Sequence, residues 1–152
     1  MPRLQAAEHQ VTSDPTDAYN CVAWLQRDFH HRWDPDFHWP ADLPCPEGSP
    51  DLDSYCELFR RWGFVPCDDG SLEQGFLKIA IYSKAGYFHH VAKQLRIDAW
   101  SSKIGDAHDL WHRELSALHD SVYFLGAIVT HYRRRPDNGE AMQLEETGLI
   151  RL

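Results

Sequence analysis

Pro35, Pro40, Pro44, Pro46 and Pro50 punctuate one stretch of the chain, and no continuous run of backbone hydrogen bonds can pass through it. One helical segment precedes this stretch, a second follows it directly, and from residue 64 onward the pattern alternates as strands do. A loop this long inside a compact domain is either functional or disordered. Trp33, Phe37 and Trp39 argue for order. The stretch reads as an aromatic loop walling a cleft.

Ahead of the loop lies Tyr19-Asn20-Cys21-Val22-Ala23-Trp24-Leu25. Asn20 is a good N-cap, since its side-chain oxygen can accept an unpaired N–H of the first turn. Cys21 then occupies the first helical position, where partial positive charge favours a thiolate and the backbone N–H groups could hold an oxyanion. The plainer reading is a free cysteine packed as a small hydrophobe. This helix is expected to run to about residue 32. After the loop, Ser49 as cap, Pro50 in the first turn and Leu52, Tyr55, Cys56, Phe59 and Trp62 at helical spacing predict a second helix, ended by Gly63.

Strands are expected at 64–67, 76–82, 87–95, 100–104 and 122–132, with one or two helical turns within 106–119. A period of two places Phe88, His90, Ala92 and Gln94 on one face, and His89 on the other. Helices first and strands later indicate α+β, with N-terminal helices packed on an antiparallel sheet. The expected organisation is a flexible arm over 1–12, one domain over 13–135 and a polar tail over 136–152.

At 152 residues the chain has room for one real core. Fifteen basic against twenty-three acidic side chains, net −8, argue against a nucleic-acid partner. Arg133-Arg134-Arg135 reads as a solvated strand end. The four cysteines, Cys21, Cys45, Cys56 and Cys67, form no C-x-x-C pair and no disulfide framework. No leader pattern and no apolar run of spanning length is present, so no membrane partner is expected. The expectation is the cytoplasm, with leaderless export the open alternative, and no cofactor.

His90 or its neighbour His89, on the second strand of a hairpin, is rigidly held and can face a packed helix; they point to opposite faces, so only one can, and parity alone does not say which. If that helix carries Cys21, the pair has the makings of a cysteine nucleophile and its base. A second chemistry would use His89 or His90 with His108, Asp109 and His112 as metal ligands, but H-x-x-x-H alone is a weak pattern. No metal is expected.

Tyr19-Asn20-Cys21-Val22-Ala23-Trp24, Lys78-Ile79-Ala80-Ile81-Tyr82, His90-Val91-Ala92-Lys93-Gln94 and Trp100-Ser101-Ser102-Lys103-Ile104-Gly105 together resemble a group of small bacterial proteins. Their pattern runs Y-N-C-I-A-W, K-I-A-L-Y, H-A-A-R-Q and W-T-S-K-L-G. More broadly the layout is similar to the papain-like NlpC/P60 and CHAP hydrolases. The resemblance implies a papain-like α+β fold, with Cys21 as nucleophile and His90 as base. It implies Ser102 or Asp109 as the orienting residue. Trp24, Trp33, Trp39 and Trp100 would line the substrate groove, and Lys103 would bind a substrate carboxylate or form an ion pair. The expected function is a cysteine hydrolase cleaving an amide or peptide bond in a peptide, protein or small amide. The rival is a non-catalytic binding or toxin-associated module.

Overall fold

The computed structural model of the chain describes residues 9–11, 15–43, 45, 50–104, 109–119 and 124–141. They build one antiparallel sheet of seven strands: β1 (His9–Val11), β2 (Val65–Cys67), β3 (Phe76–Lys84), β4 (Tyr87–Gln94), β5 (Trp100–Lys103), β6 (Asp109–His112) and β7 (Ile128–Pro136). The order across the sheet is β1-β6-β5-β4-β3-β7-β2. Strands β3 to β6 form a meander; β7 returns beside β3, and β1 adds an edge to β6. Residues 9–11, expected in a flexible arm, therefore belong to the sheet.

This corrects the α+β papain-like expectation. Only α2 (Leu52–Arg61) among the described helices exceeds a turn or two; α1 (Cys21–Leu25) has five residues, and a 3-10 turn spans Leu115–Leu118. Helix α1 stops early because Arg27 takes a left-handed conformation (φ 54°) and Asp28 N–H bonds back to Ala23 O. Helix α2 is capped by Asp51, whose carboxylate accepts Ser54 N–H at 3.2 Å; Ser49, the expected cap, lies outside the described residues. Gly63 ends it at φ 91°, as its position predicts. No described helix is long and apolar enough to cross a membrane.

Each face of the sheet carries its own core. On the first, Cys21, Val22 and Leu25 of α1 join Tyr55, Leu58 and Phe59 of α2 against Leu77, Ile79, Ile81, Phe88 and Val91. Full burial of each large aliphatic or aromatic side chain contributes about 1.5–3 kcal/mol. On the second face Ala80, Tyr82, Ala92, Trp100 and Leu110 meet Ala117, Leu118 and Phe124.

A bulge decides which strand residues reach which core. Tyr82 pairs with His90, yet Ser83 pairs with Phe88, so His89 is an extra residue in β4. Phe88 and Val91 consequently share the first face, while His90 looks out on the second. The predicted alignment of Phe88 with His90 does not hold.

The arginine run is not a solvated strand end. In β7, Arg134 lies over the Phe76 ring and Arg135 over Phe64, each 4.3 Å from the ring centroid. Arg133 donates to Phe64 O at 3.0 Å, and Arg135 to Trp62 O at 2.9 Å. The Arg133 and Arg135 guanidiniums cap carbonyls, and that of Arg134 pairs with Glu73.

Candidate functional site

Asn20 does the capping that its type predicts, and more. Its Oδ1 accepts Ala23 N–H at 3.0 Å and Trp33 N–H at 3.1 Å, while its Nδ2 donates to Trp33 O at 3.0 Å. One side chain thus starts α1 and fastens the aromatic loop to it. Trp24 donates its indole N–H to Ser101 Oγ at 2.9 Å, locking α1 onto β5. Trp24 is therefore a buried anchor, and Trp39, packed edge-on to Tyr55 at 4.9 Å, is a wall of the core. Trp33 likewise packs against Trp62 at 5.1 Å.

Cys21 sits in that core at 9% exposure. Burial pushes its thiol up to about 11, against the weaker opposing pull of the Val91 and Val22 backbone and of Lys103. A thiol held protonated at neutral pH is a poor nucleophile.

His90 points the other way, although Val91 beside it meets Cys21 through its backbone. The imidazole lies on the second face, stacked on Phe124 at 4.7 Å and beside Tyr82 at 5.2 Å. Its Nε2 is 2.9 Å from Ser102 Oγ; Ser102 Oγ is 2.7 Å from His112 Nε2; and His112 Nδ1 is 3.0 Å from Glu114 O. A carbonyl oxygen only accepts, so His112 Nδ1 carries a proton and its Nε2, in the neutral ring, does not. Ser102 must then donate to His112 and accept from His90 Nε2–H. Burial holds both imidazoles neutral: His112 falls to about 4, and His90 lies well below the usual range, with His112 adding to the effect. With its proton on Nε2, His90 is a donor to Ser102, not a base acting on it.

Of the four expected catalytic residues, only His90 and Ser102 meet. Asp109 belongs to the first face, where Tyr19 donates its hydroxyl to the carboxylate. Lys103 is fully buried there, donating to Thr16 O at 2.7 Å with its ammonium 5.4 Å from the Tyr19 ring centroid. It is therefore not a surface ion pair. The alternation along β6 also parts Asp109 from His112, which undoes the alternative metal set; His108 lies outside the described residues.

The buried chain leads to an open cleft. Glu114 O accepts from His112 Nδ1–H, Leu115 O accepts from the Tyr82 hydroxyl at 2.6 Å, and His119 Nε2 accepts Val129 N–H at 3.3 Å. These bonds hold residues 114–119 as one wall of a cleft of about 540 Å³ lined by Trp100, Tyr132, Arg113, Glu114, Ser116 and His119. Gly70 closes the floor: a Cβ there would stand 2.7 Å from the Tyr132 ring and 3.0 Å from Trp100. Of this set only Trp100 was among the expected groove residues. His112 was weighed only as a metal ligand, because helical turns were expected where Asp109–His112 forms a strand. His119 and Tyr132 had none, because their meeting depends on β7 returning beside β3.

The chain matches, over residues 10–133, a family described as a domain of unknown function (DUF7689). No curated protein and no solved structure matches it.

Proposed function

The chain belongs to the DUF7689 family, and we propose that within it this domain acts as a non-catalytic binding module whose ligand site is the cleft at Trp100, Tyr132 and Glu114. The observation that carries this reading is the sheet standing between the Cys21 thiol and the His90 imidazole. Each group is buried in a different core, so thiol and base share no crevice in which an acyl transfer could proceed.

The cleft has the makings of a binding site. Ring edges of Trp100 and Tyr132 offer apolar contact, while Arg113, Glu114, Ser116 and His119 supply donors and acceptors of both charge signs. Such a lining suits a small polar molecule carrying both donors and acceptors. Buried polar chains are costly unless every member is satisfied; here the Tyr82 hydroxyl and the His90–Ser102–His112 chain end on the two carbonyls that fix the cleft wall. The scaffold thus pre-positions the wall before any ligand arrives.

Amide NMR titration with a panel of free amino acids and simple sugars tests the proposal. Saturable shifts centred on Glu114, Ser116 and Tyr132 are expected from at least one class. Absence of any saturable shift at the cleft, or amide hydrolysis that disappears in Cys21→Ser, would overturn it.

A further inference from the structure

Two carboxylates line the cleft, and strand pairing brings them there. The β5–β6 register sets Trp100 against His112. Continuing it two residues past both strand ends sets Asp98 against Glu114, and both line the cleft. Each side chain is exposed, so each is within reach of a ligand. Among the described residues neither carboxylate has a hydrogen-bond or ion-pair partner. Like charges facing one another across a strand pair are unfavourable unless a counter-charge joins them.

The cations nearby are engaged elsewhere. Arg113 also lines the cleft, but its guanidinium lies over the Trp111 ring, 5.7 Å from the centroid, and Trp111 packs with Tyr19 and Trp24 on the α1 side. His119 Nε2 accepts Val129 N–H, so that nitrogen carries no proton and the ring is neutral. Lys78, 2% exposed, meets Asp69 at 3.3 Å and Glu73 at 3.5 Å, and Arg134 pairs with the same Glu73. Beside the two carboxylates stands the half-buried ring of Tyr132, and an aromatic ring reinforces the binding of a cation. A calcium ion takes about six or more oxygen ligands, and among the described residues no group of three or more His, Cys, Asp or Glu side chains is placed to hold a metal. An ammonium has three donors, enough to bond both carboxylates at once.

We propose that the cleft takes a small organic cation, an amine whose ammonium is shared by Asp98 and Glu114 while its body rests against Tyr132. This rests on the cleft being a binding site, and it names the chemical class of the ligand. The volume of about 540 Å³ holds a one-ring compound with a short side chain. A hydroxyl on that body has Ser116 to meet. Binding exchanges two facing like charges for two ion pairs.

Tyramine, tyrosol and 3-(4-hydroxyphenyl)propanoate share one body and end in an ammonium, a hydroxyl and a carboxylate, so they are the probes. Amide titration of the full chain should show tyramine saturating the shifts at Glu114, Ser116 and Tyr132. Tyrosol should bind at least about tenfold more weakly, for want of charge-assisted bonds, and the carboxylate should give no saturable shift. Raising sodium chloride from about 50 to about 500 mM should weaken tyramine several-fold and leave tyrosol unchanged. The double variant Asp98→Asn with Glu114→Gln should bring tyramine and tyrosol to within about twofold of each other. Asparagine tolerates the left-handed backbone that Asp98 adopts at φ 58°. Tyrosol or the carboxylate binding as tightly as tyramine, tyramine affinity unchanged in the double variant, or no saturable shift from any of the three would each overturn the inference. The three-probe comparison needs no variant, so it stands if the double variant fails to fold. If the neutral or the anionic probe saturates the cleft in place of tyramine, the cleft remains a binding site and only its cation preference falls; if none of the three binds, the amino-acid and sugar panel still decides the cleft separately.

Discussion

Ser102 Oγ stands 2.7 Å from His112 Nε2 and 2.9 Å from His90 Nε2, bridging two buried imidazoles with a single hydroxyl. Replacing it with alanine leaves a buried N–H on His90 and a buried acceptor on His112. Ser102→Ala should therefore destabilise the fold by about 1–3 kcal/mol. Urea unfolding would show this as a lower midpoint at unchanged slope.

The same two imidazoles set a pH dependence. His112 falls from 6.5 to about 4 in the fold, so between those values the unfolded chain binds the proton and the folded chain does not. Stability is then complete above about pH 6.5 and is lost progressively as pH falls toward 4, by an amount on the order of 3 kcal/mol from this residue. His90, shifted in the same direction, adds to the loss. Unfolding free energy measured from pH 7 to pH 4 would reveal it, and His112→Gln should flatten the slope.

Glu140 neutralises a lysine that has no exposure at all. Glu140→Gln removes the partner and leaves the ammonium buried, which should cost about 3 kcal/mol. Burial lowers Lys93 to about 8 even with Glu140 pulling it up, so without Glu140 the ammonium should give up its proton at lower pH, and part of the loss should be regained as the pH rises toward 8. The double variant Lys93→Met with Glu140→Leu should lie closer to the unaltered chain than Glu140→Gln does, a comparison that thermal unfolding can make.

Gly70→Ala would drive a methyl to 2.7 Å from the Tyr132 ring and 3.0 Å from Trp100. Trp100 is buried and cannot swing away freely, so the turn or the half-buried Tyr132 ring must move. A stability loss of about 1–3 kcal/mol is expected. Ligand affinity at the cleft should fall with it, as read by the amide titration.

The strands from residue 76 to 103 were legible because alternation and turn residues agree: Phe76–Lys84, Tyr87–Gln94 and Trp100–Lys103 lie close to their expected bounds. So was α2, where spacing and Gly63 point the same way, although Asp51 caps it and not the expected Ser49. Helix α1 was half legible. Asn20 marks its start, but its end rests on Arg27 adopting φ 54°, which no glycine or proline announces. The site depended on parity. One extra residue at His89 leaves the local pattern of apolar and polar residues intact, yet turns His90 away from the face that α1 covers. Motif spacing brought Cys21 and His90 together in one dimension; the bulge and the packing side of α1 part them in three.

That separation can be measured directly. Iodoacetamide labelling of the native chain near pH 7.5, with each cysteine followed by mass spectrometry, reads the reactivity of Cys21 against half-buried Cys67. A thiol raised to about 11 and enclosed in the core should label at least about tenfold more slowly than Cys67. Its rate should be unchanged by His90→Ala. If instead Cys21 labels first, and His90→Ala slows it, the thiol and the imidazole act as a pair and the two cores do not keep them apart.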